Sequence, residues 1–131
     1  MHPIVKIRAS STLQNDQDNF GSANLLNSSM EKCWSSMSGQ PQSLTVTFED
    51  AVKVTKIDLL FQGGFSGKSF SVSGTNQSGE KSILGKFYAK DNNNIQSFFI
   101  TNDVEFKKIK IKFNESWDFY GRIVLYSLEV C

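Results

Sequence analysis

The side chains from which catalytic centres are built are scarce and scattered in this chain. Its one histidine, His2, lies in an N-terminal stretch expected to be mobile, so neither a Ser–His nor a Cys–His pair has a base held by the fold. Cys33 stands beside Trp34 in what reads as core, where a thiol is inert rather than nucleophilic. Two cysteines and one histidine also fall short of any zinc-ligand spacing. The run Gly63-Gly64-Phe65-Ser66-Gly67-Lys68 has the glycines and lysine of a phosphate loop. It lacks the GxxxxGK[ST] spacing, and no helical pattern follows it. Glu115 and Asp118 come nearest to a carboxylate pair for splitting a glycosidic bond, and only their closeness in sequence marks them. No catalytic residue is expected, and the chain reads as a non-enzyme.

Binding chemistry is better represented. Phe65 lies among Gly64, Ser66 and Gly67, where no strand position requires an aromatic. Next to Lys68 it would serve as an exposed anchor for a protein surface or a sugar ring, or fold back over the end of the domain. Trp117 and Tyr120 form a second aromatic cluster. Asp118 and Arg122 bracket Phe119-Tyr120-Gly121, either as an ion pair clamping that turn or as part of an interaction site. Trp34, at the entry to a strand, reads as core, with stacking on a ligand as the other role. Lys108, Lys110 and Lys112 alternate with Ile109, Ile111 and Phe113, so they share one face. They would meet phosphates, or be a solvated face whose lysines discourage edge pairing. The near-neutral charge favours the solvated face.

The elements that must position these residues are strands. Leu44, Val46 and Phe48 alternate with Thr45 and Thr47, the signature of a strand with one buried face. Ile57, Leu59 and Phe61 repeat the pattern. Val52 and Val54 run in the opposite phase, which predicts a bulge or bend near Thr55–Lys56. Phe70 and Val72 alternate with serines, and the following Gly-Thr-Asn-Gln-Ser-Gly-Glu reads as a hairpin turn. Segments 82–88 and 95–100 flank another turn. The last strand, 122–130, is apolar on both faces, as a central covered strand would be. Helix signals are confined to 22–33, with Asn27 or Ser28 as a cap. The 131 residues suit one domain, all-β, with roughly eight antiparallel strands packed as a sandwich.

Fourteen Lys plus Arg against thirteen Asp plus Glu leave a net charge of +1. A general nucleic-acid or anionic-membrane binder carries a larger basic excess, so neither class is expected. No apolar run is long enough to span a membrane, and Met1–Ser11 lacks the apolar core of a secretion signal. A nuclear or cytoplasmic location, with free thiols, is the expectation.

Four blocks occur in order along the chain. They are Cys33-Trp34-Ser35-Ser36 ahead of Gly39, then Phe61-Gln62-Gly63-Gly64-Phe65-Ser66, then Asp91-Asn92-Asn93 leading to Ile95-Gln96-Ser97-Phe98, and last Trp117-Asp118-Phe119-Tyr120-Gly121-Arg122-Ile123-Val124-Leu125-Tyr126. With these the chain resembles the discoidin, or coagulation-factor C-type, domain family over nearly its whole length. It is most similar to the small intracellular members described as nuclear-receptor-associated proteins. The resemblance implies a galactose-binding-like jelly-roll β-sandwich whose loops, at one end, bind a partner. That partner would be a protein, specifically a nuclear receptor or co-regulator whose transcriptional activity is modulated. The alternative is a carbohydrate or phospholipid bound by the same loops.

Two departures from the resemblance matter. Cys131 matches the C-terminal half of the bridge that joins the chain ends in secreted relatives, but the N-terminal residues hold no cysteine. The family's calcium ligands fall ahead of the core tryptophan, on positions that are Asn27, Ser29 and Lys32 here, with Glu129 able to contribute from the last strand. Calcium needs several hard oxygens; the lysine argues against it, and Asn27, Ser29 and Glu129 stand only as calcium candidates.

Overall fold

In the computed structural model, which describes residues 2–26 and 31–131, the alternating segments fold into two facing antiparallel sheets. One sheet has five strands, in the spatial order β1 (Ile4–Ala9), β3 (Gln42–Lys53), β8 (Glu105–Ser116), β5 (Gly67–Thr75) and β6 (Lys81–Tyr88). The other has four: β2 (Trp34–Ser35), β9 (Val124–Val130), β4 (Lys56–Phe61) and β7 (Ile95–Phe99). Nine strands among the described residues replace the eight expected, in a jelly-roll sandwich of the expected class.

The inner faces follow from the period-two pattern. Leu44, Val46 and Phe48 of β3, with Ile109, Ile111 and Phe113 of β8, meet Ile57, Leu59 and Phe61 of β4, and all are essentially inaccessible to water. Burying such side chains contributes roughly 1.5–3 kcal/mol each. Phenylalanines bridge the two sheets. Phe70 stands edge-to-face with Phe98, ring centroids 4.8 Å apart, and Phe113 stands edge-to-face with Phe61 at 5.8 Å. Aromatic pairs favour these arrangements because a positive ring edge meets a negative ring face. Trp34 belongs to this core: it is wholly buried, and its indole N–H donates to the Ser11 carbonyl at 2.9 Å.

Several expectations need correction. Of the bulge or bend expected near Thr55–Lys56, the structure has the bend. The chain leaves one sheet after Lys53 and enters the other at Lys56, and the register slip of β3 lies earlier, between Thr47 and Val52. The phase reversal in sequence records that change of sheet. The apolar run of β9 has a similar cause: its register against β4 slips between Leu60 and Phe61, so Val124 and Leu125 are both buried, while Tyr126 and Glu129 stay half-exposed. β8 lies at the centre of its sheet, so its lysines guard no edge. His2 is held in place. Its backbone N–H donates to the Val130 carbonyl at 2.7 Å, and its ring stands edge-on to Phe48. Helical structure falls at α1 (Gln17–Phe20), capped by the Asp16 carboxylate accepting from the Asn19 N–H, and in a single-turn segment, Ser22–Leu26. The proposed caps Asn27 and Ser28 lie outside the described residues.

The hairpin between β5 and β6 forms as expected, closed by the Glu80 N–H donating to Asn76 Oδ1. At the same end of β5, Gly74 allows a close approach. A methyl group there would lie 2.5 Å from the Phe106 ring. Gly74→Ala is expected to lower stability by about 1–3 kcal/mol in urea unfolding, and by clearly less in a Phe106→Leu background. Equal losses in both backgrounds would remove the ring as the cause.

Candidate functional site

The strand directions decide which loops meet. β2, β4, β6 and β8 all run toward one end of the sandwich, and β3, β5, β7 and β9 run away from it. The connections 36–41, 62–66, 89–94 and 117–123 therefore gather at that end. The loop of Phe65 and the loop of Trp117, which sequence left unrelated, are neighbours.

The 117–123 connection is shaped by its own polar groups. Asp118 takes both arms of Arg122, from Nε at 3.0 Å and from Nη2 at 3.3 Å, and also accepts the Arg122 backbone N–H at 3.1 Å. Such forked charge-assisted pairs fix orientation as well as adding energy. The Arg122 guanidinium holds the Asp118 carboxyl below its ordinary range, and Asp118 in turn raises Arg122. Ser116 works from beneath: its hydroxyl donates to the Arg122 carbonyl at 2.6 Å and accepts the Asp118 N–H at 3.0 Å. Gly121 closes the turn at φ +84°, where a side chain would strike Gln40 and Gly39. The Gly39 N–H donates to the Tyr120 carbonyl at 2.7 Å, tying in the 36–41 loop.

This clamp leaves three aromatic rings outside. Phe119 is 90% exposed, Tyr120 64% and Trp117 46%. Phe119 and Tyr120 stand edge-to-face, centroids 5.3 Å apart. Trp117 is oriented by its indole N–H donating to the Ala89 carbonyl at 3.2 Å, and the Lys68 ammonium sits 4.8 Å from its ring. Phe65 is half-buried rather than a free anchor, with the Arg122 guanidinium 4.9 Å above its ring. Both contacts lie within cation–π range. The 89–94 loop supports Phe65 from the side, since Asp91 and Asn93 accept the N–H groups of Gly64 and Gly63.

The six residues expected to bind a partner, Phe65, Lys68, Trp117, Asp118, Tyr120 and Arg122, are thus brought together. Asp118 and Arg122 position; Trp117 and Tyr120 are presented. Phe119, which sequence reasoning did not single out, is the most exposed ring of the group, and its place between two aromatics in a Gly-closed turn was the available signal.

The calcium candidates fare differently. Asn27 and Ser29 lie outside the described residues. Lys32 donates to the Asp18 carbonyl at 3.3 Å, which sets a cation where the family's calcium set has an uncharged ligand. Glu129 faces Asp58 across β9 and β4. Among the described residues no three His, Cys, Asp or Glu side chains stand close enough to hold a metal. Likewise, among the described residues no helix is long and apolar enough to cross a membrane.

The same architecture occurs in solved proteins. The family 32 CBM from C. perfringens NanJ, solved in complex with galactose, superposes with a TM-score of 0.82 over 95% of this chain and 91% of its own, at 17% identity. The chitosan-binding module 1 of a Paenibacillus sp. IK-5 chitosanase/glucanase gives 0.78 at 19% identity, over 96% of this chain and 93% of its own. The fold is therefore the galactose-binding-like jelly roll. In sequence, residues 9–131 match the family described as Sad1/UNC-like C-terminal. The nuclear receptor 2C2-associated protein of Danio rerio is 41% identical over 94% of this chain and 87% of its own length, and that of Homo sapiens 34% over 98% and 91%. The chain belongs to the Sad1/UNC-like C-terminal family, in the group of the nuclear receptor 2C2-associated proteins.

Two outcomes are expected from the site's titrating groups. Followed by carbon-13 NMR, the Asp118 carboxyl should titrate below 3.8 and move back toward that value in Arg122→Gln. Because its native value is depressed, the stability it contributes is present above the unfolded value and lost as pH falls through the native one. A titration indifferent to Arg122→Gln would sink the clamp. Cys33 behaves in the opposite sense: burial pushes its thiol above 9.0, against the pull of a hydrogen bond with Tyr126. The stability tied to its neutral form is whole below the unfolded value and lost as pH rises through the native one. Iodoacetamide at neutral pH should therefore modify half-exposed Cys131 quickly and Cys33 only on unfolding. Equal rates by mass spectrometry would show that Cys33 is not sealed.

Proposed function

We propose that this chain is a non-catalytic binding module that takes a protein partner on its loop end. The aromatic ridge of Trp117, Phe119 and Tyr120 carries the reading. Three rings left in water, on a turn fixed by the Asp118–Arg122 pair, are costly to expose and pre-ordered for contact. Trp, Tyr and Arg are the residues that dominate protein–protein interfaces, and a preorganised patch loses less entropy on binding. The names of its relatives, nuclear receptor 2C2-associated proteins, support as partner a nuclear receptor of the 2C2 type, or a co-regulator acting with it. A nuclear or cytoplasmic location belongs to this reading, supported by two cysteines that are both free.

A second reading is kept by one observation. A structural neighbour was solved with galactose, and an indole flanked by an ammonium, as Trp117 is by Lys68, also suits a sugar ring or a phospholipid headgroup.

The test uses the purified chain and purified nuclear receptor 2C2 in a calorimetric titration. Phe119→Ala/Tyr120→Ala is expected to weaken binding at least about tenfold, since single hot-spot truncations cost 2 kcal/mol or more. The control Lys53→Ala, at the opposite end, should bind as the parent does. If the parent shows no binding, or the double variant binds equally well, the protein-partner reading fails. Saturable binding of galactose-type glycans that depends on Trp117 would then favour the second.

A further inference from the structure

The lysines of β8 have a setting that sequence did not disclose. Lys108, Lys110 and Lys112 are exposed in the middle of the outer face of the five-stranded sheet. Their register partners on both sides are hydroxyl residues: Thr47, Thr45 and Ser43 on β3, and Thr75, Ser73 and Ser71 on β5. One strand further out the cations return. Lys6 and Arg8 on β1 pair with Thr47 and Thr45, and Lys81 and Lys86 on β6 pair with Thr75 and Ser71. The face is a lattice of seven cations. Neighbouring cations on β8 and on β1 stand roughly 6.6–6.8 Å apart along the strand, and those on alternate strands roughly 9.5 Å apart.

Half of the chain's fourteen Lys and Arg therefore share one face of a molecule whose net charge is +1. No carboxylate takes a register position in these rows. The ion pairs found among the described residues use other side chains; Lys86 stands over the Tyr88 ring instead. Short hydroxyls between long lysines leave hollows. One of 300 Å³ is lined by Thr45, Ser73, Thr75, Lys81, Lys108 and Lys110. A second, of 530 Å³, adjoins it through Thr75 and Lys108. Every residue lining the first is a lysine, a threonine or a serine, a donor set without a carboxylate.

We propose that this hollow binds a compact polyphosphorylated ring, an inositol-polyphosphate-type anion, either free or as the headgroup of a lipid. Ammonium and hydroxyl donors converging from four strands match phosphate oxygens arranged around a small ring. Other polyanions fit less well. The three rows offer no aromatic on which the bases of a single strand would stack. The strands forming the floor are paired on both sides, so an acidic peptide finds no free backbone edge there. Ile83 and Tyr88, both on β6, are large apolar side chains standing out from this face, but neither lines the hollow, which leaves recognition there to charge and hydrogen bonds. The surface is separate from the loop end: the hollow opens on the sheet, and its neighbour runs to the hairpin at the far end of β5.

The experiment is calorimetry of the whole chain with inositol hexakisphosphate at low and at physiological salt. Saturable one-to-one binding that weakens with salt is expected. Lys108→Gln/Lys110→Gln should lose about tenfold or more, and Phe119→Ala should lose nothing. Both lysines are exposed, and circular dichroism checks that the variant is folded. Sedimentation with phosphatidylcholine vesicles, with and without phosphatidylinositol bisphosphate, separates the two sources. Lysine-dependent capture on the second vesicles assigns the lipid headgroup; soluble binding without capture assigns the free anion. Absence of binding at low salt, binding retained by the double variant, or equal binding of an RNA oligonucleotide or heparin at physiological salt would overturn the proposal.

Discussion

Phe113 is the side chain on which both sheets and the loop end bear. It lies at the centre of the five-stranded sheet and reaches Trp34, Phe61 and Phe70, with centroids 6.3, 5.8 and 5.5 Å away. Three residues later β8 ends at Ser116, whose hydroxyl shapes the next turn by bonding Arg122 and Asp118. A ring locked in a close-packed core cannot shift without moving its strand. The placement of Ser116, and through it the Asp118–Arg122 pair, is thus inherited from the core. Exposed rings held this way are a rigid surface rather than a frayed loop.

The chain ends show the same economy of means. Secreted domains of the resembled family join their ends covalently, and closing so long a loop would stabilise by about 4–5 kcal/mol in the chain-entropy account. Here Cys131 has no partner cysteine. Its carbonyl accepts the N–H groups of Thr55 and Lys56, its N–H donates to Lys56, and His2 bonds Val130 and Lys53. Backbone hydrogen bonds net only about 0.5–1.5 kcal/mol each, so several are needed where one bridge would serve. They also survive in a reducing compartment, where a bridge does not.

What could be read from sequence was whatever the inside–outside period determines. Residues 44–48, 57–61 and 108–113 announce their buried faces, and the structure buries those faces. β1 escaped because, as an edge strand, it fully buries only Ile7; one residue makes no pattern. α1 escaped because four residues carry no helical period, although Asp16 and Asn19 form a readable cap. The role of Lys108, Lys110 and Lys112 depended on which strands flank β8, and their partners lie more than thirty residues away in sequence. Phe119 and Phe65 exchanged places for a related reason. Which ring of a loop is covered depends on Arg122, and Arg122 covers Phe65. Alternation is local information; coverage and neighbourhood are not.

The sandwich keeps the two proposed binding surfaces apart. At the loop end, backbone conformation is set by side chains, so aromatic and ionic groups can be presented at angles that no strand permits. On the sheet face, conformation is set by the ladder, and side chains are delivered at fixed spacing in two dimensions. The first suits an irregular protein surface; the second suits repeated charges. A substitution on the outer face leaves the ladder and the inner face unchanged, because successive side chains point to opposite sides. The cationic lattice and the aromatic ridge are therefore free to change independently. A chain with a net charge of +1 nevertheless presents one strongly positive face, since no carboxylate shares the rows that carry its seven cations. Net charge, which from sequence favoured a merely solvated face for Lys108, Lys110 and Lys112, averages over this segregation and is blind to it.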